Sequence, residues 1–248
     1  MDIENSELKE KCSIFHSLLF VSWTSLSALL YGSMCIILSA FSKNCARMVA
    51  QAWNTHLLAV GRVKLRIEGK EKLHDNERYV FIANHQSALD IPALYSGLHH
   101  GVSFIAKKEL FMIPVFGWGL LAVGHTWIDR TNARKAHKSI QRAIDKLKRQ
   151  NVSLILFPEG TRSKDGNLGE FKTASFSLAL KAGVKIVPVA IVDSAKRLPK
   201  SSAKIIPGEI VLRIGDPIAP EVINDMSKAE ISSMVRGVIE KNLTEHNG

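Results

Sequence analysis

The sequence predicts an α/β fold, a mixed and largely parallel sheet flanked by helices, preceded by a helical N-terminal segment that associates with a membrane. Three observations carry this expectation. Short apolar runs of strand length, rich in Val and Ile and bounded by turn residues, recur through residues 61–248. A segment of helical periodicity falls between them, and strands alternating with helices give a largely buried sheet. Ahead of both, residues 12–42 contain no Asp, Glu, Lys or Arg.

Taken in order, residues 12–42 mix eight serines with Leu, Ile, Phe and Val. A helix of about 20 apolar residues crosses a bilayer, so the length is sufficient. A secretory signal fits poorly, because residues 1–11 carry four acids and two lysines and the apolar run is too long. Gly32-Ser33 is a place where the helix can bend or divide. A spanning helix, a bent and interfacially embedded one, and a plain core helix are the alternatives. Residues 45–60 read as a second helix with an apolar face. In 63–68, Val63, Leu65 and Ile67 alternate with Lys64, Arg66 and Glu68, as in a half-buried strand.

Apolar strands follow at 79–83, 102–106, 152–157 and 185–192. Residues 132–150 place Ala136, Ile140, Ala143, Ile144 and Leu147 at helical spacing, with a strongly basic opposite face. Between 111 and 123 an apolar stretch is interrupted by Gly and Pro, which suits core, a greasy channel or a membrane-facing surface. A strand at 209–214 precedes a Gly-Asp-Pro turn, and 228–244 reads as a closing helix. The expected organisation is membrane-associated helices over 1–60 and one α/β domain over 61–248.

Charge and motif content narrow the function. Lys and Arg number 33 against 23 Asp and Glu, and residues 1–60 are balanced, so the excess of +10 falls entirely in 61–248. A basic domain implies an anionic partner: nucleic acid, a membrane surface or a phosphorylated substrate. Cysteines at 12, 35 and 45 have no metal-ligand spacing, which excludes a zinc ribbon or a disulfide scaffold and suits a reducing compartment. HExxH, GxxxxGK[ST] and GxSxG are absent, which removes zincins, Walker-type NTPases and the serine-hydrolase elbow.

Two constellations follow expected strands. In Asn84-His85-Gln86-Ser87-Ala88-Leu89-Asp90, Asp90 can reach back to the imidazole if a helix starts near Ser87. A carboxylate on one ring nitrogen fixes the tautomer and leaves the other nitrogen free as a base. A capping Asp beside a structural His is the bland alternative. In Phe157-Pro158-Glu159-Gly160-Thr161-Arg162-Ser163, Pro and Gly make a tight loop whose backbone can approach a ligand. Glu159 can accept from hydroxyls or order neighbouring loops, and Arg162 can grip a phosphate bidentately. A surface turn with a local Glu–Arg pair is the alternative there. Lys107, Lys108 and Arg130 are further basic candidates, each more often solvated surface than ligand.

NHQSALD, WIDR, FPEGTRS and IVPVAI, in that order and at these separations, resemble the four motifs of the 1-acylglycerol-3-phosphate acyltransferases, within the glycerolipid acyltransferase family and of bacterial type. The resemblance covers roughly residues 61–217, and the N-terminal segment looks like the family's membrane-associated helices. It implies that His85 is the general base toward the acceptor hydroxyl of lysophosphatidate and that Asp90 is its charge-relay partner. Arg130, Glu159, Gly160, Thr161 and Arg162 resemble residues that bind or position the glycerol phosphate, and Lys107 matches a family lysine at the same phosphate. Val187-Pro188-Val189 look like the fourth motif, associated with the acyl donor. After Phe171-Lys172 the family commonly has Gly, whereas Thr173-Ala174-Ser175 stand here.

The implied activity is acyl transfer from acyl-CoA or acyl-carrier protein, as co-substrate, to the free hydroxyl of 1-acylglycerol 3-phosphate, giving phosphatidate for phospholipid biosynthesis. No cofactor or metal is expected. Within the family, glycerol 3-phosphate or another lysophospholipid is the alternative acceptor. Anionic membrane lipid is the expected partner, with the catalytic domain on the cytoplasmic face. Nucleic acid is disfavoured by the apolar N-terminus and the lack of aromatic stacking motifs.

Overall fold

The structure, a computed structural model, describes residues 2–98, 101–128, 133–150, 152–163, 165–200 and 202–245. The chain begins with α1 (Asp2–Ser39) and α2 (Lys43–Val60), followed by β1 (Val63–Glu68), β2 (Tyr79–Ala83), α3 (Asp90–Gly97) and β3 (Val102–Lys107). It continues through α4 (Phe116–Val123), β4 (Thr126–Ile128), α5 (Ala133–Gln150), β5 (Ser153–Leu156), α6 (Ala174–Ala182) and β6 (Lys185–Val192). A short α7 (Ser194–Arg197), β7 (Gly208–Ile214), the four-residue α8 (Pro220–Ile223) and α9 (Lys228–Thr244) complete it.

Among the described residues, seven strands form one sheet in the order β1-β7-β6-β2-β5-β3-β4. Neighbours run parallel except β6 and β7, which are antiparallel. The mixed, largely parallel sheet expected from the alternation is present. Its central strands are apolar on both faces because both are covered. Tyr79, Phe81 and Ala83 of β2 pack with Val187, Val189 and Ile191 of β6 under α2 and α3. Val80 and Ile82 point the other way, into a layer with Leu147 of α5, Phe176 of α6 and Val235 of α9.

Several boundaries have simple causes. α2 starts two residues before the apolar periodicity does, because the Ser42 hydroxyl caps the Cys45 N–H. α9 opens with a capping box in which Ser227 and Glu230 each accept from the other's backbone N–H. β5 stops at Leu156, one residue short of the apolar run, as the chain turns into Phe157 and Pro158. α6 begins directly after Thr173, so the segment without the family's Gly is a helix start that needs no left-handed residue.

α1 is one continuous helix, so Gly32-Ser33 does not divide it. Its glycine serves close packing instead: a Cβ on Gly119 of α4 would lie 3.1 Å from the Gly32 Cα. Residues Ser13–Ser39 are long and apolar enough to cross a membrane, with a mean hydropathy of 1.6 over the tested window. One face of α1 docks on the domain, where Trp53 Nε1 donates to Ser27 Oγ and the Ile205 N–H donates to Ser17 Oγ. The other face exposes Phe15, Leu18, Leu26, Leu30 and Ile37. Ser25 and Ser39 do not break this apolar surface, because they return their hydroxyls to carbonyls four and three residues earlier. The interrupted stretch at 111–123 combines two of the expected roles: Val123 is buried, whereas Met112, Trp118 and Leu121 are exposed.

Candidate active site

β2 and β5 are parallel neighbours, so the loops after Ala83 and Leu156 leave the same edge of the sheet side by side. Asn84, fully buried, anchors the first loop: its Nδ2 donates to the Ile191 carbonyl at 2.9 Å and its Oδ1 accepts from the Ile191 N–H at 2.7 Å. The side-chain amide thus pairs with the β6 backbone just beyond the end of β2.

Asp90 opens α3 and is completely buried. Its Oδ2 accepts three N–H donors, from His85 Nδ1 at 2.8 Å, Gln86 N at 2.7 Å and Ser87 N at 2.9 Å. The carboxylate can only accept, so the imidazole proton sits on Nδ1 and Nε2 is left with a free lone pair. The His85 ring lies on Phe157, with centroids 4.1 Å apart, which fixes its plane between the two loops. About a fifth of the side chain remains exposed, enough for a substrate to reach it.

The second loop is laced to the first. Glu159 Oε1 accepts from the His85 N–H at 2.8 Å, and Ser163 N donates to the His85 carbonyl at 2.8 Å. Burial raises the Glu159 carboxyl above the ordinary range, partly offset by the His85 and Gly169 N–H groups it accepts from. Glu159 therefore orders the loops. Gly160 sits at φ +74°, a left-handed conformation that favours glycine, and a Cβ there would meet Lys172 Nζ at 3.0 Å. Thr161 is exposed and Arg162 half-buried. The Arg162 guanidinium makes no hydrogen bond or ion pair with a described residue, which leaves its planar fork open for an oxyanion.

Lys107 ends β3 on this same edge, exposed, with Glu109 3.7 Å away. Arg130 lies outside the described residues; β4 ends two positions before it. The structure therefore brings His85, Asp90 and Glu159 into one bonded cluster, with Thr161 and Arg162 on the adjoining turn. Lys200 carried no sequence signal, because it lies outside every motif. It donates to the Arg162 carbonyl at 2.5 Å and to Thr161 Oγ1 at 3.3 Å. Asn84 stood inside a quoted motif, and an amide beside a strand end was the available clue.

Behind the loops, between α1, α2, α4 and β3, lies an apolar cavity of about 80 Å³ lined by Tyr31, Cys35, Trp53, Phe104, Phe116 and His125, among others. Ile91, the residue after Asp90, is also in its wall. Burial holds His125 neutral, with its pKa lowered to about 3, and Phe104 stacks on it at 3.8 Å.

Comparison with known proteins points to one family. A family model described as "Acyltransferase" matches residues 64–192. A 1-acyl-sn-glycerol-3-phosphate acyltransferase of Escherichia coli is 30% identical over 73% of this chain and 74% of its own. One from Chlamydomonas reinhardtii is 33% identical over 82% of this chain and 63% of its own. The chain spans 44% to 63% of the length of the algal and plant relatives that head the matches. The crystal structure of the 1-acyl-sn-glycerophosphate acyltransferase of Thermotoga maritima superposes with a TM-score of 0.83 at 26% identity, over 96% of this chain and 99% of that one.

Proposed function

The chain belongs to the acyltransferase family, and from that premise we propose that it transfers a fatty acyl group from acyl-CoA or acyl-carrier protein to 1-acylglycerol 3-phosphate, forming phosphatidate. The observation that carries this is the 2.8 Å bond from His85 Nδ1 to Asp90 Oδ2, with Nε2 free at the mouth of the Phe157–Ser163 turn. The names of the relatives, each a 1-acylglycerol-3-phosphate acyltransferase, support the choice of acceptor.

The acceptor hydroxyl attacks the thioester carbonyl while His85 Nε2 takes its proton. Asp90 stabilises the imidazolium that forms. The tetrahedral intermediate collapses with expulsion of the carrier thiolate, to which His85 returns the proton. General-base help of this kind contributes about 10²–10⁴-fold. A thioester is reactive enough to need no enzyme nucleophile, so the remaining demand is positioning. Arg162, with Lys107 and Arg130, grips the acceptor phosphate, while Glu159, Gly160 and Thr161 set the shape of the turn.

Lysophosphatidate and the phosphatidate formed from it both reside in the membrane and the acyl carrier is soluble, so the site works at the interface. The exposed apolar face of α1 provides burial in lipid, and the +10 charge adds attraction to anionic headgroups. Lys43 and Arg47, just after the apolar run, favour a cytoplasmic location for the domain. The test is an acyl-transfer assay on purified protein with lysophosphatidate and glycerol 3-phosphate side by side, with both carriers. Phosphatidate formed from lysophosphatidate is the expected result; transfer to glycerol 3-phosphate alone overturns the choice of acceptor.

A further inference from the structure

The groups expected to hold the acceptor phosphate follow β5, β3 and β4, all on one flank of β2 in the sheet. Across β2, the chain leaving β6 closes against the far end of the β5 loop around a polar cleft of about 370 Å³. Its walls are Gln86, Ser163 with Asp165 and Gly166, and residues of the segment from Asp193 to Lys200.

Gln86 immediately follows His85, is buried, and donates from Nε2 to the Gly166 carbonyl at 2.6 Å, so one wall is continuous with the loop that carries the base. Bonds across the rim hold the cleft in shape: Ser87 Oγ donates to the Leu198 carbonyl at 2.7 Å, and Lys200 reaches the Arg162 carbonyl. Its charges are sorted. Asp193 pairs with Lys196 at 2.9 Å. Asp165 accepts from the Ser163 hydroxyl and from Asn167. Of the two described lysines that line it, Lys200 alone bonds only neutral oxygens, and two bonds leave its ammonium a third donor.

We propose that this cleft holds the phosphate end of the pantetheine arm of the acyl donor, with Lys200 as the cation that reads the phosphate and Gln86 beside the arm's amides. The inference rests on the acyl-transfer function proposed above. Two substrates must meet at His85 Nε2, and the acceptor's anionic end is assigned to the β5, β3 and β4 flank. The donor is left the side toward β6, where a preformed polar cleft between the β5 loop and the chain leaving β6 adjoins the base and holds an ammonium that pairs with no acid among the described residues. The phosphopantetheine phosphate is common to CoA and to the carrier protein, so one lysine serves either donor.

Lys200→Met removes the charge and keeps the stem. The Michaelis constants for acyl-CoA and for acyl-carrier protein should each rise about tenfold, with no change for S-acyl pantetheine lacking the phosphate or for lysophosphatidate. Lys200→Arg should recover most of the loss. A rise for lysophosphatidate instead, a rise with acyl-CoA but not with the carrier protein, or a fall in kcat common to every donor each overturns the proposal; the last would make Lys200 a clamp on the Arg162 turn. Ala195→Leu narrows the cleft from within the Asp193–Lys200 wall and leaves the Lys200 clamp in place, and should raise the Michaelis constant for all pantetheine donors, including the unphosphorylated one; unchanged values overturn the assignment even if Lys200→Met does not fold. Calorimetry with 4′-phosphopantetheine separates the two levels. Binding weakened about tenfold by Lys200→Met supports the cleft whether or not the protein acylates lysophosphatidate, and equal affinity overturns it.

Discussion

Replacing Asp90 by Asn isolates the charge of the proposed relay from its geometry. Two backbone N–H groups, of Gln86 and Ser87, point at the Asp90 oxygen that also receives His85 Nδ1. In Asp90→Asn the carbonyl oxygen must take that place, because an NH₂ group there would face three donors. His85 thus keeps its tautomer and its position while the negative charge disappears. An ion pair about 4 Å apart at an effective dielectric near 20 is worth about 4 kcal/mol. Losing it when the imidazolium forms should lower kcat about a thousandfold. The new NH₂ lands where Oδ1 lies buried without a partner, which should cost about 1–3 kcal/mol of stability. Steady-state kinetics and a thermal melt on the purified variant measure both. In a His85→Ala background the same substitution should cost almost nothing further in kcat, since paired groups acting as a unit are non-additive. Asp90→Asn retaining more than about a tenth of wild-type kcat, or adding its full loss to His85→Ala, would refute the relay.

His85→Ala itself should reduce turnover by about 10²–10⁴-fold while the melt stays close to wild type, because the ring is partly exposed at a loop end; near-normal turnover sinks the mechanism. Arg162→Lys should raise the Michaelis constant for lysophosphatidate and leave a phosphate-free acceptor nearly unaffected, since Lys cannot form the bidentate fork; equal losses would make Arg162 structural. His125 gives a pH signature. The unfolded chain takes a proton there below about pH 6.5 that the folded chain refuses until about 3, so stability present above 6.5 falls by about 1.4 kcal/mol per pH unit across that window. His125→Leu should flatten this acid limb in melts recorded across the range, and an unchanged slope would rule it out. Removal of residues 1–42 should abolish most membrane association and depress activity on bilayer-embedded acceptor more than on a short-chain soluble one; a truncated protein that stays membrane-bound shows that α1 is not the anchor.

Much of the local structure was legible in the sequence for a local reason. The strands at 79–83 and 185–192 and the helix at 228–244 occupy the expected residues, because fully buried apolar runs and a capped helix are specified by near neighbours. The His85 and Asp90 pairing was legible too, since five residues and a helix start are enough to fix it. β4, three residues long, and α6, whose apolar pattern spans only nine, carry too little period to be recognised. Strand order lay beyond the sequence altogether. That β2 sits between β5 and β6 depends on contacts such as Asn84 with Ile191, 107 positions apart, which no periodicity encodes. The same long-range closure brings Lys200 to Arg162 and gives Ser163, Asp165 and Gly166 a facing wall, so the cleft exists only after folding. Residue type and spacing determined which groups were available for chemistry; burial of both sheet faces at once decided which of them became neighbours.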